Sequence, residues 1–270
     1  MTDWSWSHGA SLVVEVVDQA GARWFVKRHA DRARYLAEVA AYRRWVPALG
    51  DRAPRLRASD DELQAVILSA VPGLPVGAVG TASGRTIDVD GNRRVHRQAG
   101  ALLRKLHEAE PARAWPVMAA AKLAEFDRIA TSAAGLLGEG DLDFVRAKVS
   151  ALGGLRAPSW VPCHLDYGPR NWVVDLDGTV RVIDFEWARG DLWVSDLARL
   201  YSTEWTSRPD LRDAFLDGYG RQIEQEDRAA LHAVSALRAL WLVVRARATG
   251  QTEFEQSNRQ LLKRLRVARI

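Results

Sequence analysis

The 270-residue sequence contains a single cysteine, Cys163, and this scarcity excludes two classes of scaffold. One thiol cannot form an internal disulfide, and it cannot supply the several cysteine ligands of a structural zinc site. Because stable disulfides belong to oxidising compartments, the composition predicts a cytoplasmic protein. Lysine is also scarce, since only five of the 38 basic residues are lysine and the remaining 33 are arginine.

Long apolar runs and concentrated charge are lacking as well. No stretch approaches the roughly 18 uninterrupted apolar residues of a membrane span, and the N-terminal residues lack the basic and apolar regions of a signal peptide. The formal net charge is +4, and the arginines are interspersed with acids rather than gathered into a stripe. These features predict a folded protein that binds neither a membrane nor nucleic acid.

The pattern of apolar residues predicts β-structure followed by helices. Residues 11–17 and 23–27 indicate a β-hairpin, Asp31 is placed to cap a helix, and residues 63–68 indicate a further strand. Two prolines and a glycine within residues 69–75 then predict a joint. Later helical patterns cover residues 95–108, 119–137, 142–152, 211–223, 228–246 and 254–267.

This succession predicts an α+β fold with two lobes. We expect a small β-rich lobe over residues 1–70 that binds nucleotide, and a large helical lobe over residues 71–270 that carries the catalytic loop and the acceptor pocket. A cleft is expected at the joint between them.

Polar residues surround a short hairpin predicted within the helical part, over residues 172–175 and 180–183. His164, Asp166 and Asn171 precede its first strand, and Asp184 follows its second strand directly. An acid and an amide five residues apart can meet another acid across such a hairpin. Oxygen donors of this kind select Mg²⁺ or Mn²⁺ over zinc, and phosphoryl transfer uses such a cation together with a carboxylate and a lysine.

These residues match the signature H-x-D-x-x-x-x-N followed by I-D-F, and the sequence resembles the aminoglycoside phosphotransferase and choline kinase family. The resemblance covers nearly the whole chain and implies the two-lobed protein-kinase-like fold. It further implies Asp166 as the catalytic base, Asn171 and Asp184 as metal ligands, and ATP and Mg²⁺ as cofactors. His164 is interpreted as a structural, hydrogen-bonded imidazole.

The same resemblance assigns a nucleotide site. It implies that Lys27 binds the ATP phosphates, that Glu38 is the ion-pair partner of this lysine, and that the backbone near Ser69 to Val71 binds adenine. The glycine-rich loop G-x-G-x-x-G of protein kinases is absent, and residues 7–11, with one glycine, stand in its place.

The function expected from the sequence is ATP-dependent phosphorylation of a hydroxyl group on a small molecule, such as an amine-bearing antibiotic of the aminoglycoside type. A metabolic kinase acting on choline, an amino sugar or an amino alcohol is one alternative. A nucleotide-binding pseudokinase without turnover is an alternative of a different class. A protein kinase is disfavoured because no A-P-E element follows I-D-F.

A cationic acceptor is suggested by acids and tryptophans that follow Asp184. Anionic groups and aromatic faces attract ammonium groups by Coulomb and cation–π terms. The alternative interpretation is that the tryptophans belong to the core and the acids to a solvated rim. The candidate acceptor-binding residues are Glu186, Trp187, Asp191, Glu204 and Trp205.

Overall fold

The computed structural model describes residues 2–4, 11–76 and 89–268, with the side chain of Glu139 left out. The described chain forms two compact units. Unit 1 is drawn from the segments 1–111, 161–190 and 207–222, and unit 2 from the segments 112–160, 191–206 and 223–270. The expected lobe boundary at residue 70 stays a prediction.

The elements alternate between short strands and longer helices. The strands are β1 (Thr2–Asp3), β2 (Ser11–Val17), β3 (Arg23–His29), β4 (Leu56–Asp60), β5 (Ala65–Ser69), β6 (Leu74–Pro75), β7 (Arg113–Ala114), β8 (Ser159–Cys163), β9 (Trp172–Val174), β10 (Val180–Val182) and β11 (Arg189–Asp191). The helices are α1 (Arg32–Arg44), α2 (Val89–His107), α3 (Met118–Ala133), α4 (Glu139–Ala151), α5 (Ala198–Ser202), α6 (Glu204–Ser207), α7 (Pro209–Tyr219), α8 (Gln225–Ala248) and α9 (Thr252–Val267). The predicted α+β class is confirmed, with a sheet first and mostly helices after it.

Unit 1 begins with an antiparallel sheet in the strand order β1-β2-β3-β5-β4. The predicted hairpin is confirmed, because β2 pairs with β3 throughout. Lys27 lies on β3 opposite Val13 on one side and Val66 on the other, so that its backbone is fixed from both sides. Strand β4 is not among the predicted strands, because this mostly exposed edge strand, LRASD, lacks a β-strand's apolar alternation.

Helix α1 follows the sheet and begins as predicted at Asp31. The carboxylate of Asp31 accepts hydrogen bonds from the backbone amides of Ala33 and Arg34 at 2.7 and 3.4 Å, which satisfies amides that the helix itself leaves unpaired. Tyr35, Glu38, Val39 and Tyr42 share the buried face of this helix. The helix therefore carries a carboxylate, that of Glu38, into the interior of unit 1.

The rest of unit 1 contains the small sheet β10-β9-β6 and the helix pair α2 and α7. These helices cross at two glycines. A Cβ atom at Gly100 would lie 2.0 Å from the carbonyl oxygen of Phe215, and one at Gly218 would lie 1.9 Å from that of Arg97. Glycine is thus required at both positions for the backbones to approach so closely. The ring of Trp172 stacks on that of Phe215 beside this crossing, with centroids 6.2 Å apart.

Unit 2 packs α8 against α3, α4 and α9. The buried ring of His232 on α8 lies edge-on to Phe144, and its Nε2 donates a hydrogen bond to the backbone oxygen of Leu265 at 2.9 Å. A buried ion pair joins Lys122 to Asp191 at 2.7 Å. Unit 2 therefore combines an apolar helical core with a few paired polar groups.

Helix α8 has the length and apolar character that a membrane crossing would require. Within its most apolar stretch, 72% is buried inside the protein. Such burial is what the central helix of a folded core shows.

Candidate active site

The predicted catalytic loop begins where β8 ends at Cys163. The imidazole of His164 is completely buried, and its Nε2 donates to the backbone oxygen of Ile183 at 3.0 Å. Its Nδ1 accepts the backbone amide of Asp166 at 3.3 Å. His164 therefore ties this loop to the end of β10, and its interpretation as a structural imidazole agrees with these contacts.

Two residues other than glycine in this region have left-handed backbone conformations. Leu165, immediately before Asp166, has φ = 61°, and Asp184 has φ = 69°. Such conformations cost of order 1–3 kcal/mol each and persist where surrounding packing enforces them. The neighbouring rings of Tyr167 and Phe185 are buried against His164, with centroid distances of 5.5 and 4.8 Å. Packing against His164 thus holds the residues that directly follow Asp166 and Asp184.

Asp166 is buried, and two neighbours bind its carboxylate. Nδ2 of Asn171 donates both to the backbone oxygen of Asp166 and to its Oδ2, each at 2.9 Å. Arg170 donates from Nε to the same Oδ2 at 3.2 Å and forms a second, shorter bond from Nη2. The structure therefore brings together the predicted base and one predicted metal ligand.

The ammonium group of Lys27 binds three carboxylates. Its Nζ lies 2.6 Å from Asp184 Oδ1, 3.1 Å from Glu38 Oε2 and 3.1 Å from Glu186 Oε2. The contact with Asp184 joins residues 157 positions apart in sequence. Glu38 is fully buried and also lies 2.7 Å from Nε2 of His29. The expected Lys27–Glu38 pair is present, and Asp184 and Glu186 extend it.

Burial and charge oppose each other in this cluster. Burial alone lowers the pKa of Lys27, but Asp184, Glu38 and Glu186 outweigh it and hold this pKa well above its ordinary value. Burial raises the pKa of Asp184, yet Lys27 more than reverses this and keeps the pKa below its usual range. Both groups are therefore ionised at neutral pH.

The donor set fits a hard divalent cation. Because the two hydrogen bonds from Asn171 to Asp166 use Nδ2, they leave the amide oxygen of Asn171 as its acceptor atom. The carboxylate of Asp184 is one-third exposed, so it is accessible to a ligand. An amide oxygen and an accessible carboxylate are suited to Mg²⁺.

The expected adenine-binding segment, Ser69 to Val71, lines a groove of about 410 Å³ in unit 1 together with the turn between β2 and β3. Within it, the amide of Ala70 donates to the backbone oxygen of Arg23 at 3.0 Å. Except for Ser11, the segment 7–11 expected to cover the phosphates lies outside the described residues. The adenine assignment stays a prediction.

The candidate acceptor-binding residues fall in different environments. Glu186 belongs to the Lys27 cluster, where Arg34 also approaches it at 3.4 Å, and the guanidinium of Arg34 lies 4.1 Å from the ring centroid of Trp187. In unit 2, Asp191 and Trp205 are buried, whereas Glu204 is partly exposed. Of the two candidate acids in unit 2, only Glu204 is therefore accessible to solvent, and the acceptor assignment stays a prediction.

Sequence reasoning missed three charged or titratable neighbours of the predicted residues: Arg170, His29 and Arg34. A signal for two of them was available. His29 follows Lys27 by two positions, which places both side chains on one face of a strand. Arg170 lies inside the H-x-D-x-x-x-x-N motif. Arg34 had no such signal, because its partner Glu186 is 152 residues away.

Comparison with known proteins agrees with this geometry. A family model described as the phosphotransferase enzyme family matches residues 6–234. A search of curated protein sequences finds no significant match.

Several solved structures share the fold. A thermostable mutant of aminoglycoside phosphotransferase APH(4)-Ia, in a ternary complex with AMP-PNP and hygromycin B, is 12% identical with a TM-score of 0.73, and the match covers 98% of this chain and 92% of that chain. A choline/ethanolamine kinase family protein from Mesorhizobium loti is 17% identical with a TM-score of 0.71, covering 99% and 89%. Macrolide 2'-phosphotransferase MphH from Brachybacterium faecium is 17% identical with a TM-score of 0.63, covering 93% and 88%.

The kinase-like fold and the matching family model define the class as a small-molecule kinase that acts on hydroxyl groups. The chain belongs to the phosphotransferase enzyme family, as the resemblance of its central motifs predicted.

Proposed function

We propose that the protein transfers the γ-phosphoryl group of ATP, with Mg²⁺, to a hydroxyl group of an amine-bearing small molecule such as an aminoglycoside-type antibiotic. The observation that carries this proposal is the contact between Lys27 and Asp184 at 2.6 Å. It joins a cation suited to phosphates with an acid suited to magnesium. A chain that retains this pair together with Asp166 and Asn171 has the groups that turnover requires, which argues against a pseudokinase.

Each residue of the site has its own role in the proposed phosphoryl transfer. Lys27 would neutralise charge on the ATP phosphates, and Asn171 and Asp184 would hold the Mg²⁺, which would supply shielding of the phosphate oxygens. Asp166 orients the acceptor hydroxyl and accepts its proton. As that oxygen bonds to the γ-phosphorus, the bond from phosphorus to the β–γ bridging oxygen breaks and ADP leaves.

The acceptor class rests on two lines of support. The relatives of similar fold include proteins named for aminoglycosides, macrolides and choline or ethanolamine. The sequence adds the second line of support, because acids and tryptophans follow Asp184 and such groups attract an ammonium group by Coulomb and cation–π terms. A choline- or amino alcohol-phosphorylating enzyme uses the same catalytic groups and is the alternative that the assay must separate.

The test is ATP consumption with mass detection of phosphorylated product, against aminoglycosides, macrolides, choline, ethanolamine and amino sugars. Asp166→Asn should lower kcat by about 10²-fold or more, because it removes a positioned base. The matched control is Asp177→Asn, which changes an exposed aspartate in unit 1 and should leave turnover intact. Near-normal turnover in Asp166→Asn would refute the assigned base. Phosphorylation of choline alone would select the metabolic alternative.

A further inference from the structure

Arg170 occupies an unusual position within the catalytic loop. It follows the catalytic acid by four residues, in the single turn Pro169–Asn171 that precedes β9. Its side chain is 47% exposed, whereas that of its partner Asp166 is 5% exposed. A long cation therefore extends from the buried base toward solvent.

Arg170 is not needed to hold Asp166. Asn171 already donates to both the backbone oxygen and Oδ2 of Asp166 at 2.9 Å, and His164 accepts the backbone amide of Asp166. The two hydrogen bonds from Arg170 reach only Oδ2. A guanidinium has five N–H donors, so three lie outside this pair and can serve another anion.

The charge around Arg170 is predominantly negative. Burial alone lowers its pKa, but the carboxylates of Asp166, Asp184 and Glu186 outweigh burial and raise this pKa above its ordinary value. Arg170 is therefore a permanent cation that feels both the base and the acids of the Lys27 cluster.

Transfer of a phosphoryl group would add further negative charge at this place. Besides Asp166, the cluster holds three carboxylates against the ammonium of Lys27 and the guanidinium of Arg34, so its carboxylates outnumber these two cations. Phosphoryl transfer is accelerated chiefly by fixed positive groups directed at the phosphoryl oxygens. Lys27 divides its charge between these carboxylates and the ATP phosphates, whereas Arg170 is the guanidinium bound directly to the base.

We propose that Arg170 is a second catalytic cation, which donates hydrogen bonds to the phosphoryl group while that group passes from ATP to the acceptor. This inference rests on the proposed function. It adds a residue that the family signature does not specify, since the position of Arg170 within H-x-D-x-x-x-x-N is variable in that motif.

The test compares binding of a ground-state ligand with binding of a mimic of the transferred group. The probes are ADP with Mg²⁺, and ADP with Mg²⁺ and aluminium fluoride, measured by calorimetry on the full chain. These probes need no knowledge of the acceptor. The variants are Arg170→Gln, which removes the charge, and Arg170→Lys, which retains it. Arg97→Gln is the control, because it breaks an exposed arginine–aspartate pair in unit 1, with Asp217 at 3.3 Å.

We expect Arg170→Gln to bind Mg–ADP within about twofold of the wild type and to bind the aluminium fluoride complex about 10²-fold more weakly, the loss typical of one removed transition-state donor. Arg170→Lys should recover part of this loss, and Arg97→Gln should show none. Thermal unfolding of Arg97→Gln should match the wild type because its ion pair is exposed, and Arg170→Lys keeps a charge beside the buried Asp166, so that comparison of Arg170→Lys with Arg170→Gln separates a loss of stability from a loss of probe binding.

Three results would overturn the inference. The first is unchanged affinity of Arg170→Gln for the aluminium fluoride complex, and the second is an equal loss for both probes, which would assign Arg170 to nucleotide binding alone. The third is faster turnover in Arg170→Gln, which would make the ion pair inhibitory. If the wild type hydrolyses ATP and Asp166→Asn does not, these results reject Arg170 alone. If the wild type binds neither probe, the proposed function fails as well.

Discussion

Replacement of Lys27 by methionine tests the energetics of the site directly. Methionine retains the length of the side chain and removes the ammonium, so packing against β2 and β5 is largely preserved. The carboxylates of Asp184, Glu38 and Glu186 then lose a common partner that lies within 3.1 Å of each. Lys27→Met therefore leaves several acids in a poorly hydrated environment without their principal counter-charge.

The expected destabilisation near pH 7 is about 3 kcal/mol. Removing one partner of a buried ion pair costs roughly 3–5 kcal/mol, and we expect the lower end because Asp184 is one-third exposed and can be partly rehydrated. For a chain of this size, about 3 kcal/mol corresponds to a fall in Tm of roughly 6–12 °C.

The destabilisation should shrink as pH falls. In the wild type the pKa of Asp184 is depressed, so its stabilising contribution is present above its unfolded pKa of about 3.9 and is lost as pH falls through the folded value. In Lys27→Met the lysine no longer opposes the effect of burial, so the pKa of Asp184 should rise. Protonation of Asp184 should then remove the cost of an unpaired buried carboxylate. The raised pKa of Lys27 keeps its own contribution complete below its unfolded pKa of about 10.4.

The assay is thermal and urea unfolding in metal-free buffer over a series of pH values from about pH 7 down to about pH 4. Lys105→Met is the control, because it removes an exposed lysine from the same unit and should change stability by no more than about 0.5 kcal/mol. A loss below about 1 kcal/mol, or a loss independent of pH, would refute the reasoning that Lys27 compensates buried acids.

Two further predictions concern stability. Gly218→Ala should destabilise unit 1 by about 3 kcal/mol or more, because the new Cβ would meet the carbonyl of Arg97 at 1.9 Å. The control is Gly154→Ala, whose Cβ would meet nothing within 4 Å and which should be near neutral in urea unfolding. Equal losses of stability in the two variants would disprove the close crossing of α2 and α7. Burial, more than Lys148, lowers the pKa of His232, so the contribution of His232 to folding stability is present above about pH 6.5 and is lost as pH falls. The free energy of unfolding of His232→Gln should therefore depend less on pH between about pH 7.5 and 5.5. The same pH dependence in the variant and the wild type would contradict this prediction.

The helices and the hairpin were predictable because local patterns determine them. Asp31 followed by apolar residues at helical spacing identified α1, and an Asp-Gly turn between two short apolar runs identified β9 and β10. The edge strand β4 was not predictable, because its exposed side chains carry no periodic apolar signal. The predicted strand at residues 63–68 begins two residues later, since Gln64 takes a left-handed turn conformation with φ = 51°.

The candidate site likewise contains residues that the sequence identifies and contacts that it does not. Asp166, Asn171 and Asp184 were identifiable because their spacing lies within one short stretch of sequence. The contacts of Glu186 with Lys27, His29 and Arg34 could not be inferred, because they depend on how α1 and β3 pack against a segment more than 150 residues away. The interpretation of Glu186 as an acceptor contact stays a prediction, and in the structure its carboxylate meets Lys27, His29, Arg34 and the hydroxyl of Ser11.

The choice of lysine rather than arginine at position 27 follows from this packing. The chain uses arginine for 33 of its 38 basic residues, yet the group that meets Glu38, Asp184 and Glu186 is an ammonium. A compact point charge can contact three carboxylates that converge from different directions, whereas a planar guanidinium directs its donors in a fixed fork. The reverse holds at Arg170, where a fork binds one oxygen of Asp166 and retains donors for a second anion. The two cations thus differ in what they can bind: Lys27 contacts the three carboxylates of the site, and Arg170 retains donors for the transferred phosphoryl group.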